Sequence, residues 1–300
     1  MEAGGELPAV EDYALGSALG TGSTGTTWMA TSRAANGALR RVVVKVLHPA
    51  RGRVLPAAEA FLRERDPRVV RYEALERGAR TAWTAADPVQ GRSLAGLREE
   101  SALAARVGLL RGAAEALAAL HTAGLCHGDL RPSNLLVRRE RSGALSPLLV
   151  DAGVVPVRDP AWHDRPERAR LLWPFIGPEA AAAFPPGQPL PTSPALDVYG
   201  LGATACLLLT GRAPGTLTGE RTPAEIVRAK ARRAALIALP EPGAPLDMER
   251  LDLVLQRTLS PRPEDRPTAL WVADALQACI SRPLTPRRAA TTSSLTGARS

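Results

Sequence analysis

The amino-acid order predicts an α+β chain, with strands leading in its first part and helices opening its second, larger part. Three observations lead there. Between Tyr13 and Ala30 the residues run as strand, glycine-rich turn and strand. Arg41 to Leu47 is a β-branched run, and Thr81 to Ala85 reads as a further strand. Ala102 to His121 is then rich in alanine and leucine, with apolar residues at helical spacing, and Thr122-Ala123-Gly124 closes it.

Composition bounds the class. The 300 residues, 45% hydrophobic, suffice for one two-part domain or two small ones with an ordinary globular core. Cys126, Cys206 and Cys279 are odd in number, widely spaced and set among apolar residues. That pattern excludes a disulfide framework and cysteine metal-ligand spacing, and it suits a reducing cytoplasm. The opening residues Met1 to Glu6 are acidic without an apolar segment, and the uncharged run near Val198 to Thr210 is too short to span a bilayer. No secretion signal or membrane anchor is expected. The net charge of +8 comes from 38 basic and 30 acidic residues, and only Lys45 and Lys230 among the basic ones are lysine. The arginines are scattered among acids rather than grouped with aromatics, which argues against a nucleic-acid partner. A lysine that remains in such a chain is a candidate for a role arginine cannot fill.

Taken in order, residues 1–11 are rich in Gly, Glu and Pro and read as a flexible N-terminus. Gly20, Gly22 and Gly25 form a G-x-G-x-x-G, a weak signal alone. A Walker-type phosphate loop needs Lys and then Ser or Thr after the last glycine, which Thr26-Thr27 does not supply. A Rossmann turn needs a helix next, whereas Thr26-Thr27-Trp28-Met29 favours a strand. A hairpin whose glycines let the backbone approach phosphates remains. Lys45 lies inside the apolar strand that follows; a lysine there either reaches solvent at a strand edge or serves a site. Ala57 to Arg65 reads as a helix. In Cys126 to Val137 an Asp and an Asn stand five residues apart between apolar flanks, as either an active loop or an ordinary helix-to-strand turn. Two short strands then lead to Asp151-Ala152-Gly153.

These stretches, in this order, resemble the eukaryotic-type (Hanks-type) Ser/Thr protein kinase domain in a bacterial-like, divergent form. His127-Gly128-Asp129-Leu130-Arg131-Pro132-Ser133-Asn134 resembles H-R-D-L-K-P-x-N, Val42 to Lys45 resembles V-A-I-K, and Asp151-Ala152-Gly153 resembles D-F-G. Asp87-Pro88-Val89-Gln90-Gly91-Arg92-Ser93-Leu94 is similar to the hinge segment, Ile176-Gly177-Pro178-Glu179 to A-P-E, Asp197 to Gly202 to D-V-Y-S-L-G, and Arg262 to Thr268 to R-P-x-x-R-P-T. The resemblance runs from Tyr13 to Ala278. It implies the two-lobed kinase fold, with a small antiparallel β-sheet and one helix as the N-lobe over 12–87 and a mostly α-helical C-lobe over 88–280; beyond it, 281–300 is polar, low in complexity and basic, and reads as a disordered tail.

The resemblance also implies a site. ATP would lie against Gly20, Thr21, Gly22, Gly25, Thr27, Val43 and Leu136, with Asp87 and Val89 meeting adenine through their backbone and Lys45 on the α and β phosphates. Glu59 is the expected ion-pair partner of Lys45. Asn134 and Asp151 would hold Mg²⁺, Asp129 would orient the attacking hydroxyl, and Arg131 stands where the family has a lysine at the transferring phosphate. Glu179 and Arg266 should form a buried ion pair, and Asp197 should brace the loop backbone. The implied activity is transfer of the ATP γ-phosphoryl group to protein Ser or Thr hydroxyls.

Four departures bear on that activity. Gly128 replaces the arginine that receives an activation-loop phosphate, and Val154 to Ile176 contains no Ser, Thr or Tyr; regulation by activation-loop phosphorylation is therefore not expected. Arg131 replaces lysine, Ala152 replaces an aromatic that packs beneath helix αC, and the threonine before A-P-E is missing. The segment at 57–65 is also a turn shorter than αC. A pseudokinase scaffold is the alternative reading. A small-molecule kinase, which can share His-Gly-Asp, is disfavoured by the A-P-E-like and R-P-x-x-R-P-like segments. The oligomeric state is not legible.

Overall fold

The computed structural model describes residues 10, 12–78, 81–94, 97, 101–215, 222, 224–226 and 246–281. Of the N-terminal segment read as flexible, only Val10 lies among these, buried against the sheet. The tail expected over 281–300 lies outside them from residue 282 onward, as does Lys230.

The first lobe is a sheet whose alternation sorts residues between a core and a cleft. β1 (Tyr13–Thr21), β2 (Gly25–Arg33) and β3 (Leu39–Leu47) form a meander, β4 (Gly52–Val54) leaves the sheet, and β5 (Tyr72–Arg77) and β6 (Ala82–Ala86) complete the order β1-β2-β3-β6-β5. All pairings are antiparallel. With side chains alternating along a strand, Val42 and Val44 of β3 bury themselves with Ala30 and Ala85 on one face. Val43 and Lys45 are thereby turned to the other face. Each buried aliphatic side chain stabilises the lobe by about 1.5–3 kcal/mol. At Gly25 a Cβ would stand 2.2 Å from the Val46 carbonyl oxygen, so only glycine lets β2 begin this close to β3.

The single helix expected at 57–65 is a 3₁₀-helix over Pro56–Arg63. Its three-residue repeat places Ala58 and Phe61 on one inward stripe, and both are buried. Gly153 lies directly against this stripe. Phe61 and Tyr72 meet edge to face, with centroids 6.4 Å apart, and Tyr72 Oη donates to the Ala152 carbonyl at 3.1 Å. Two aromatics of the first lobe thus pack where Ala152 offers none.

The second lobe begins with β7 (Arg92–Ser93) and helix α1 (Leu103–Thr122), whose buried positions surround the helix rather than forming a stripe. β8 (Leu135–Arg139) and β9 (Leu145–Leu149) follow the 126–134 loop, and β10 (Val154–Pro156) pairs back onto β4. Short helices α2 (Pro160–His163), α3 (Pro166–Leu172) and α4 (Pro178–Ala182) precede the central α5 (Pro194–Thr210). Ser193 caps α5 by accepting from Leu196 N at 3.2 Å. α6 (Met248–Thr258) and α7 (Ala269–Ser281) complete the core with α1. Arg266, after α6, meets Glu179 through two hydrogen bonds of 2.6 and 2.7 Å, which is the expected ion pair. The lobes are tied by a strand-like exchange in which Val70 N donates to Leu149 O and Leu149 N to Arg68 O. No helix among the described residues is long and apolar enough to cross a membrane.

Candidate active site between the lobes

Asp197, in the first turn of α5 and itself 2% exposed, organises the loop that leaves α1. Its carboxylate accepts from His127 N at 2.7 Å and Gly128 N at 2.9 Å, and it meets His121 Nε2 at 3.0 Å. Gly128 bends the chain with φ of +88°, and a Cβ there would lie 2.8 Å from Val155 Cγ1 and 3.0 Å from Thr192 Cγ2. Glycine rather than arginine therefore suits this position on backbone grounds alone.

The bend places Asp129 beneath the cleft, buried behind Arg131 and Asn134. Its Oδ2 accepts from Arg131 Nε and Asn134 Nδ2, both at 3.0 Å, and its carbonyl accepts a second Asn134 Nδ2 bond at 2.8 Å. Burial pushes the Asp129 pKa above the usual carboxylate value, while the Arg131 charge pulls the other way. Arg131 reaches further: one terminal nitrogen donates to Ser23 Oγ in the glycine turn at 2.7 Å, the other to Leu171 O at 3.2 Å. It joins the catalytic-type loop, the turn above it and the 154–176 segment.

Asp151 has φ of +61°, a left-handed conformation that Asp tolerates better than most residues. Its Oδ2 meets Lys45 Nζ at 2.5 Å. Glu59, the expected partner of Lys45, instead pairs with Arg77 at 2.6 Å on the surface. The reason is the 3₁₀ turn: burying Ala58 and Phe61 turns the intervening Glu59 outward. Asp151 has taken the place proposed for Glu59.

A cavity of about 610 Å³ opens over these groups. The glycine turn contributes Gly20, Thr21, Gly22 and Gly25, and the strands contribute Thr27, Val43 and Lys45. Asp87 and Val89 come from the link between lobes, and Arg131, Asn134, Leu136 and Asp151 from below. Glu59 does not line it, and Asp129 reaches it through Arg131 and Asn134. Sequence reasoning passed over Ser23, Tyr72 and Thr84, which also line it; Thr84 carried a signal, since it pairs directly with Lys45 across β6 and β3. Among the described residues no group of three or more His, Cys, Asp or Glu could hold a metal by itself. Asn134 and Asp151 offer the oxygen ligands suited to Mg²⁺, a cation commonly held by one or two carboxylates plus phosphate oxygens and water.

The 154–176 segment is fastened by its own residues and by β4. β10 pairs with β4, Val157 N donates to Arg51 O at 2.9 Å, and the Trp162 ring lies between two guanidinium groups, Arg51 at 3.6 Å and Arg168 at 3.1 Å from its centroid. Arg158 pairs with Asp164 at 2.7 Å and lies 4.5 Å over Trp173.

The family profile described as "Protein kinase domain" matches residues 13–278. The chain is 31% identical to the serine/threonine-protein kinase PkaA of Streptomyces coelicolor, across 90% of this chain and 50% of that protein. It is 32% identical to the probable inactive leucine-rich repeat receptor kinase XIAO of Oryza sativa, across 61% of this chain and 16% of that protein. It thus spans half or less of the length of these relatives. The crystal structure of a double mutant of the PknI kinase domain of Mycobacterium tuberculosis superposes with a TM-score of 0.62 at 20% identity, covering 93% of this chain and 100% of that one. With the two-lobed fold and the ordered motifs, these likenesses establish that the chain belongs to the Hanks-type Ser/Thr protein kinase family.

Proposed function

We propose that the chain transfers the γ-phosphoryl group of ATP to Ser or Thr hydroxyls of proteins, without control by phosphorylation of its own 154–176 segment. The observation that carries this reading is the convergence of Lys45, Asp151, Asn134 and Arg131 on one cavity, with Asp129 hydrogen-bonded to two of them. Mg-ATP, when bound, supplies the phosphoryl group and the charge-neutralising metal. Lys45 holds phosphate oxygens, and Asn134 and Asp151 hold the metal. Asp129 keeps Oδ2 engaged with Arg131 and Asn134, which leaves Oδ1 to orient the acceptor hydroxyl and take its proton. Arg131, bridging Asp129 and Ser23, places positive charge between acceptor and donor sites. Independence from phosphorylation is supported by the absence of Ser, Thr and Tyr from 154–176 and by the arginine–tryptophan–arginine stack.

A nucleotide-responsive scaffold with little transfer is the second reading, favoured by Glu59 on Arg77 rather than Lys45 and by a 3₁₀ turn in place of a full helix. The experiment that separates them is transfer from labelled Mg-ATP to a generic protein acceptor, beside Asp151→Asn. Transfer lost in the variant supports the enzyme. Absent transfer in a chain that Mg-ATP still stabilises against heat supports the scaffold.

A further inference from the structure

A second cavity, of about 960 Å³, adjoins the first and shares Thr21, Gly22, Ser23, Arg131 and Ser133 with it. Resting on the kinase reading, we infer that this acceptor-side cleft selects protein segments in which the phosphorylated Ser or Thr is flanked by Asp or Glu and by an apolar residue.

The lining carries the argument. Among the described residues, Arg168, Arg170 and Arg212 border the cavity against one carboxylate, Glu167, a much stronger imbalance than the 38 to 30 of the whole chain. Arg170, Arg212 and Glu167 are exposed. Arg131 is already engaged with Asp129, Ser23 and Leu171, and Asp164 with Arg158.

Two buried polar atoms on the same wall want an acceptor. His163 is 2% exposed and its Nδ1 accepts from Asp159 N at 3.0 Å, so the proton of the neutral ring sits on Nε2. That Nε2 is buried without a hydrogen-bond partner, and so is Arg168 Nη1. Burial lowers the His163 pKa to about 4, which keeps the ring neutral near pH 7 and Nε2 a donor. These enclosed atoms put donors and positive charge behind the wall with no carboxylate against them, and the exposed Arg170 and Arg212 are the groups that a bound peptide's carboxylates would meet. Leu171, 57% exposed, lines the same space with Phe175 and Leu207. This apolar floor accommodates a hydrophobic neighbour of the acceptor residue. The chain's own residues 282–300 contain no Asp or Glu, so Thr291, Thr292, Ser293 and Ser294 beside Arg287 and Arg288 do not suit the cleft.

The test uses three peptides sharing one serine-centred core, flanked by Asp/Glu, by Ala/Gly or by Lys/Arg. The full chain is assayed for kcat/KM with Mg-ATP and, separately, for binding of the labelled peptides by fluorescence anisotropy. The acidic peptide is expected to exceed the basic one by about tenfold or more, the scale of several partly exposed charge pairs acting together. Arg170→Glu with Arg212→Glu is expected to lower that ratio about tenfold, with an unchanged thermal midpoint as the control for folding. Equal or better use of the basic peptide, a ratio unchanged in the double variant, or efficient phosphorylation of the 282–300 tail overturns the inference. Acid-selective binding without transfer would sink the kinase reading and keep the cleft's selectivity. Transfer without charge selectivity would do the reverse.

Discussion

Replacing Glu59 by alanine tests how this domain holds Lys45, the lysine proposed to meet the ATP phosphates. In the structure the glutamate takes no part in holding it, because it pairs with Arg77, and the two side chains are 58% and 41% exposed. A pair so placed contributes at most about 1 kcal/mol, equivalent to a fall in thermal midpoint of about 2–4 °C or less in a chain of this size. Lys45 and Asp151 stay paired at 2.5 Å, with side chains only 10% and 22% exposed, so the cleft is expected to keep its geometry. Glu59→Ala should therefore retain kcat/KM within about twofold, whereas Lys45→Met should lose about a hundredfold or more by removing a preorganised charge. The assay is steady-state phosphoryl transfer at several ATP concentrations, with the midpoint measured on the same preparations. A tenfold or greater loss in Glu59→Ala would refute the reasoning. It would mean that Lys45 exchanges Asp151 for Glu59 in the working conformation, which requires the 3₁₀ turn over Pro56–Arg63 to rewind.

Three further outcomes follow from the geometry. Gly128→Ala forces a side chain into φ of +88° and against Val155 and Thr192, at a combined cost of about 2–5 kcal/mol in denaturant unfolding; an unchanged midpoint would show that the loop relaxes freely. Glu179→Ala strands Arg266, whose side chain is 0% exposed, and should cost about 3 kcal/mol, the low end for a buried pair because Glu179 is 30% exposed. Glu179→Gln should cost less in the same urea titration, and equal losses would argue against a charge-dependent pair. His163 has a folded pKa of about 4 against 6.5 in the unfolded chain, so between those values the unfolded state binds more protons and stability falls as pH is lowered. His163→Gln should flatten the decline in midpoint between pH 6.5 and pH 4.5, and an identical decline in the variant would contradict the burial.

Much of the site was legible because its residues act through spacing along short stretches. Asp129 and Asn134 fall on one tight loop and meet across it. Lys45 stood out as a charge inside a β-branched strand, and strand alternation turns it to the cleft. Glu179 and Arg266 were legible only through the family resemblance, since 87 residues separate them. What escaped is long-range and aromatic. Nothing in the spacing of Arg51, Trp162 and Arg168 announces that one ring will lie between two guanidinium groups. Arg131 reads as a lysine substitute in sequence, and its reach to Ser23, 108 residues away, exists only in the folded chain. The sequence reads as a helix over 57–65 without showing its type, because Ala58 and Phe61 are three residues apart, a spacing that α- and 3₁₀-helices share. The missing turn in the sequence was the available sign. It changes which carboxylate reaches Lys45.

The most direct measurement is the time course of phosphoryl transfer by the chain after phosphatase treatment, with mass spectrometry showing that no phosphate remains. A site held by packing around Trp162 rather than by phosphorylation predicts full initial rate without a lag, unchanged by preincubation with Mg-ATP. A lag abolished by preincubation, or transfer absent until the chain has been phosphorylated, would contradict the account.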